Sequence, residues 1–140
     1  MRKSYDQVFN KLDQIAEQGW RNLSLTAEKA NDQQNKMLQV SEMWQKNDIF
    51  RDLLFHQPLL DVATSLIGPN VQLFHDQALY KPSKVGGAVP WHQDNGYWHC
   101  QPAELISICI ALDDADTTNS CMNVLPGSHL EKPHNHSRAK

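Results

Sequence analysis

No apolar run in this chain approaches the length of a membrane span, and the N-terminus Met1-Arg2-Lys3-Ser4-Tyr5-Asp6 lacks the apolar core of a secretory signal. A soluble, intracellular and cytoplasmic protein is the resulting expectation. Basic clusters are missing as well. The 13 Lys and Arg are scattered among 16 Asp and Glu, for a net charge of −3, so neither nucleic acid nor an anionic membrane is implied as a partner. Cysteine is scarce: Cys100, Cys109 and Cys121 are odd in number and lack paired metal spacing, which argues against a disulfide framework and for reduced thiols, with Cys109 and Cys121 filling space. There are no internal repeats and no low-complexity tract. What is present, 140 residues of which 40% are hydrophobic, is one domain's worth. That is enough for a hydrophobic core but small for an enzyme that buries a metal and two organic substrates.

Residues 4–20 place Val8, Leu12 and Ile15 on one side and Asp6, Lys11, Asp13 and Glu17 on the other, which predicts an amphipathic helix ended near Gly19. Residues 21–40 are polar and poorly periodic, and predict a loop followed by a short helix anchored by Leu23, Leu25 and Met37. Asn47 or Asp48 caps a helix carrying Ile49, Phe50, Leu53 and Leu54. Pro58 suits the first turn of another, which Gly68-Pro69 stops, with His56 as a turn residue between them.

Beyond residue 69 the pattern changes to strands. The first runs from Val71 to Tyr80, with His75 and Gln77 on the face of Val71; a loop rich in lysine and glycine follows. Leu105 to Leu112 is the clearest strand, with bulky Ile106, Ile108 and Ile110 alternating with small Ser107, Cys109 and Ala111. Another is expected at Cys121 to Leu125. Between these two, residues 113–120 read as a solvated turn, since they lack the glycine and closing glutamate of a calcium-binding loop. The fold class expected is α+β in one domain: a helical portion 1–68, a β portion 69–130 and a polar tail 131–140.

The chemistry centres on Val89-Pro90-Trp91-His92-Gln93-Asp94-Asn95-Gly96-Tyr97-Trp98. In an extended strand residues two apart share a face, so the imidazole of His92 and the carboxylate of Asp94 converge on one small object, most simply a metal ion. A histidine and a carboxylate are two arms of the facial triad that holds Fe(II) and leaves positions open for co-substrate and oxygen. Short motifs of this kind recur by chance, so the surroundings carry the reading. They are Trp91 before the pair, Asn95-Gly96-Tyr97-Trp98 after it, the run Leu105 to Leu112, Asp113-Asp114, and Val124-Leu125-Pro126-Gly127-Ser128-His129.

From about Phe74 to His129 the chain resembles the phytanoyl-CoA dioxygenase family of Fe(II)- and 2-oxoglutarate-dependent oxygenases. The resemblance implies a double-stranded β-helix, with His92 and Asp94 as iron ligands and catalytic residues. It implies oxidative decarboxylation of 2-oxoglutarate to succinate by O₂, coupled to hydroxylation of a small organic or acyl substrate. Gln77 matches a position that lies against the co-substrate in relatives, and Lys81 follows in a Lys-Pro segment typical of the family. Trp91, Tyr97 and Trp98 flank the motif as pocket or core aromatics. Halogenating relatives replace the carboxylate by a small residue; Asp94 is present, so hydroxylation is favoured.

One departure is large. Family members carry a second iron-binding histidine many tens of residues after the Pro-Gly-Ser-His segment, then an arginine that clamps the distal carboxylate of 2-oxoglutarate. This chain stops eleven residues after His129, and its tail offers only His134, His136 and Arg138 without strand alternation. The chain is therefore expected to be a fragment or a truncated product. The alternative is a non-catalytic β-sandwich binding module, or a degenerate fragment with weak metal binding. Structural zinc through His92, His99 and Cys100 fails on spacing.

Overall fold

Leu38–Ser41 is the middle strand (β2) of a three-stranded antiparallel sheet, flanked by Trp20–Asn22 (β1) and Gln77–Tyr80 (β3) in the order β1-β2-β3. The computed structural model describes residues 1–15, 19–23, 37–84, 86–119 and 121–136, and these divide into two compact units, those up to Trp91 and those from His92 to His136. Register places Val40 opposite both Trp20 and Ala78, and Gln39 opposite both Arg21 and Leu79. Val40 is wholly buried and Ala78 is 8% exposed, so this cross-strand row is the centre of the first unit. Burying the Val40 side chain contributes about 1.5–3 kcal/mol relative to exposing it.

The tract expected to be a loop and a short helix thus supplies two strands. Single-residue polarity hid them, because each short strand interleaves polar and apolar residues and gains its hydrogen bonds from remote backbone. The anchor Met37 is buried at 9% exposure; Leu25 and the middle of that tract lie outside the described residues.

The first helix (α1) is Arg2–Phe9, shorter than expected, and a 3-10 turn at Leu12–Gln14 follows it. Lys11 has left helical geometry at φ −120°, and Trp20, expected at the helix end, pairs with Val40 in β1. Asn10 is the C-cap of the helix, and an asparagine favours such an end because its side chain competes with the helical backbone for hydrogen bonds. Phe9 packs on Tyr80 with ring centroids 5.4 Å apart, and the Tyr5 hydroxyl donates to the Leu79 carbonyl at 2.5 Å. Tyr5→Phe is expected to lower stability by about 1 kcal/mol in urea unfolding, since it leaves that carbonyl short of a partner.

Helices α2 (Met43–Lys46), α3 (Asp48–Leu53) and α4 (Gln57–Ile67) follow β2. The latter two begin as the sequence predicts: the Asn47 side chain accepts from the Ile49 amide at 3.0 Å, and Pro58 sits in the first turn of α4, which ends at Gly68. Met43 and Phe50 carry α2 and α3 into the core. His56 stands exposed at the turn between α3 and α4.

The corner from β2 into α2 is held by Asp76. Glu42 sits in the left-handed region at φ 55°, a conformation costing about 1 kcal/mol for a residue with a β-carbon. Its amide donates to the Asp76 carbonyl at 3.0 Å, and Asp76 Oδ2 accepts from the Trp44 amide at 3.1 Å. Asp76 Oδ1 is buried with no hydrogen-bond partner among the described residues. Burial pushes this carboxyl above its usual value of 3.8, against the lowering exerted by the Trp44 amide, His75 and Lys46. A raised carboxyl pKa favours the folded state while the group is protonated, and that contribution is lost as pH rises from about 3.8 through the raised value. Asp76→Asn keeps an acceptor for Trp44 and removes the charge. Wild type is therefore expected to lose stability relative to the variant as pH rises above 3.8 in a urea titration series, with a constant difference once the carboxyl is fully ionised.

In the second unit the strands expected at residues 105–112 and 121–125 form no ladder among the described residues. Ile108 and Ile110 are 44% and 40% exposed and Val124 is 75% exposed. Alternation alone makes a strand competent to pair, but a ladder needs a neighbouring backbone to receive its N–H and C=O groups. Cys109, expected to fill space, is exposed, whereas Cys121 is half-buried. The acidic loop is the solvated turn predicted, apart from Ser120, which lies outside the described residues: Asp116 Oδ1 accepts from the Thr118 amide at 2.7 Å and its hydroxyl at 2.6 Å, which hold the carboxyl below its usual range.

The observed class is α+β, helices with a small antiparallel sheet.

Candidate functional site

His92 and Asp94 meet, by a different route from the one their spacing suggests. No strand forms at residues 89–94. Instead Asp94 adopts helical dihedrals, φ −53° and ψ −44°, as the N-cap of the one-turn helix α5 (Asn95–Trp98). The Asp94 carbonyl accepts from the Tyr97 and Trp98 amides at 3.0 and 3.2 Å. Asn95 closes the other end, with its Oδ1 accepting from the Cys100 amide at 2.6 Å after His99 turns left-handed at φ 52°. The Asn-Gly pair expected to make a turn makes this helical turn.

The turn brings His92 Nε2 to 3.4 Å from Asp94 Oδ1, with the two side chains 36% and 40% exposed. Metal bonds of about 2.1 Å put adjacent donors of an octahedron about 3 Å apart, so this separation suits two arms on one ion. Asp94 Oδ2 accepts from the Ser107 hydroxyl at 3.0 Å, which leaves Oδ1 toward His92. Ser107 was not singled out from sequence. Its signal was there in the small-residue face it shares with Cys109 and Ala111, where a hydroxyl breaks an otherwise apolar series. Among the described residues no group of three His, Cys, Asp or Glu side chains is placed to hold a metal ion. His92 and Asp94 therefore stand as a pair with no third such side chain grouped with them among the described residues, and the zinc grouping of His92, His99 and Cys100 does not assemble.

The tail histidines come to the same motif without joining the donor pair. His136 Nε2 accepts from the Gln93 amide at 2.8 Å, and its Nδ1–H donates to the His134 carbonyl at 2.6 Å. Its ring meets Tyr97 edge-on at 4.9 Å, and Tyr97 lies 6.0 Å from the His92 ring. Gln93 Oε1 accepts from the His134 amide at 2.8 Å. Arg138 lies outside the described residues.

Gln77 and Lys81 belong to the first unit. Gln77 is exposed at the start of β3, and its Oε1 accepts from Gln39, whose own Oε1 accepts from Arg21 Nε; His75 Nε2 stands 3.3 Å from Gln77 Oε1. This polar row crosses all three strands on the face opposite Val40. Gln39 is only 3% exposed, a buried amide that sequence reasoning passed over because its tract read as loop. Lys81 is half-buried, and its stem passes Gly86 so closely that a β-carbon there would lie 2.5 Å from Lys81 Cγ. Trp91 is 73% exposed.

A family model described as phytanoyl-CoA dioxygenase matches residues 2–140. The chain is 34% identical over 85 residues to a phytanoyl-CoA dioxygenase domain-containing protein 1 homolog of Dictyostelium discoideum, covering 61% of this chain and 30% of that protein. It is 31% identical over 106 residues to the peroxisomal phytanoyl-CoA dioxygenase of Mus musculus, covering 71% and 31%. With the L-proline trans-4-hydroxylase of Streptomyces griseoviridis it shares 34% identity over 74 residues, 50% and 28% of the two chains. The chain thus spans about 30% of the length of these relatives. No solved structure matches it at a significant level.

Proposed function

The chain belongs to the phytanoyl-CoA dioxygenase family, and on that premise we propose that it carries part of the active site of an Fe(II)- and 2-oxoglutarate-dependent dioxygenase, with His92 and Asp94 as two iron ligands. The observation that carries this reading is the 3.4 Å approach of His92 Nε2 to Asp94 Oδ1, an imidazole beside a carboxyl group, the donor types that Fe(II) takes. When bound, the iron and its co-substrate supply the oxidation of an unactivated C–H bond by O₂. The chain's own residues hold and orient. His92 and Asp94 fix the ion's position, and the Ser107 hydroxyl turns the Asp94 carboxylate so that Oδ1 faces the imidazole.

Gln77 and Lys81 are proposed as co-substrate contacts: the lysine cation and the glutamine amide suit the two carboxylates of 2-oxoglutarate. Residues 105–112, which alternate in sequence, and residues 121–125 are proposed as strands of a double-stranded β-helix. The substrate is a small organic or acyl molecule, in keeping with relatives named for phytanoyl-CoA and for L-proline. No helix among the described residues is long and apolar enough to cross a membrane, and three free thiols support a reducing, cytoplasmic setting.

A second reading is a module that binds metal weakly and does not turn over; the lack of a third donor among the described residues favours it. Succinate formation from 2-oxoglutarate on adding Fe(II) separates the two. Iron-dependent succinate supports the oxygenase, iron binding without succinate supports the module, and no iron binding removes both.

A further inference from the structure

His136 stands 43 positions from Gln93 in sequence, yet its imidazole accepts the backbone N–H that lies between the two proposed iron ligands. We propose that His136 is a positioning residue for the metal motif, a clasp that fixes the backbone turn from His92 to Asp94 and so sets the distance between their donor atoms. The inference rests on the iron-binding reading above.

Three observations carry it. The first is that both ring nitrogens are committed: Nε2 accepts from the Gln93 amide at 2.8 Å and Nδ1–H donates to the His134 carbonyl at 2.6 Å. These partners select the neutral Nδ1–H tautomer and leave no lone pair for a metal, so His136 is not the missing third ligand. The second is the cradle. A β-carbon at position 96 would lie 2.2 Å from His136 Nδ1, so only glycine admits the ring against the backbone of α5, with Tyr97 closing one side at 4.9 Å. The third is reciprocity. Gln93 Oε1 accepts from the His134 amide at 2.8 Å, so the residue between the ligands is held by both its main chain and its side chain.

The Gln93 amide has the same plane as the His92 carbonyl, and its rotation moves the imidazole of one ligand against the carboxylate of the other. A bond to that N–H therefore acts on donor geometry directly, as outer-shell partners of metal ligands do.

The test uses Co(II) alone as an air-stable probe, titrated into the full chain and read by calorimetry and by its visible absorption, which reports ligand geometry. His136→Ala is expected to weaken binding by about 10- to 100-fold and to change the absorption band. His136→Gln, whose Oε1 reaches the same amide, should restore affinity to within about threefold of wild type, the residual gap reflecting the lost Tyr97 contact. Gly96→Ala, which keeps the imidazole but displaces it, should reproduce the loss. Amide exchange in the metal-free wild type should show Gln93 N–H protected. Unchanged Co(II) affinity in His136→Ala, a loss that His136→Gln does not restore, or an unprotected Gln93 amide would overturn the proposal. His92→Ala in the same titration keeps the two readings apart: if it binds like wild type the iron site itself is wrong, whereas if it alone loses binding only the clasp is wrong.

Discussion

Replacing His92 by alanine is expected to weaken Fe(II) binding at least 100-fold in anaerobic calorimetry and to abolish any iron-dependent formation of succinate, with the far-ultraviolet circular dichroism unchanged. Loss of a mere outer-shell partner costs a metal site about 10- to 100-fold, so loss of one of two direct donors sets the upper value as a floor. The fold should tolerate the change because the side chain is 36% exposed. Asp94→Asn should approach the same loss, since it removes the anionic donor while preserving volume and the acceptor for Ser107. Wild-type affinity in both variants would remove the metal assignment and, with it, the oxygenase reading.

The largest effect on stability is expected at Val40. Val40→Asp is predicted to cost about 4 kcal/mol or more, enough to unfold the first unit in mild urea, because it puts a carboxylate at a wholly buried position between Trp20 and Ala78. Whole domains of this size are stable by about 5–15 kcal/mol, so the variant approaches or crosses the threshold. Ile49→Asp provides the contrast. Ile49 is 41% exposed in the first turn of α3, where a negative charge suits the helix end, and its cost should stay within about 0.5 kcal/mol. Equal costs at the two positions would show that the sheet centre is not where the core lies.

The helices around residues 47–68 were legible because their signals are local. Asn47 caps an amide two residues away, Pro58 sits where its missing N–H costs nothing, and Gly68 ends the run. The approach of His92 to Asp94 was legible for a related reason: two residues one apart from a common neighbour have few ways to diverge. The mechanism of their meeting was not. Spacing suggested a pleat, while the chain uses a helical N-cap at Asp94, and nothing near the motif distinguishes the two without the tertiary setting. The strands were misplaced in both directions. Residues 20–22 and 38–41 pair although their periodicity is poor, and residues 105–112 alternate well yet form no ladder among the described residues.

By itself the sequence determined the family, the capped helices and which two side chains are candidates for iron. Tertiary structure alone decided that Gln39 is a buried link between Arg21 and Gln77, that Ser107 turns the Asp94 carboxylate, and that His136 reaches back to the Gln93 amide. The division follows from where hydrogen bonds are satisfied: a cap finds its partner within one turn, whereas a ladder or a clasp draws its partner from 18 to 43 residues away, beyond the reach of any local pattern.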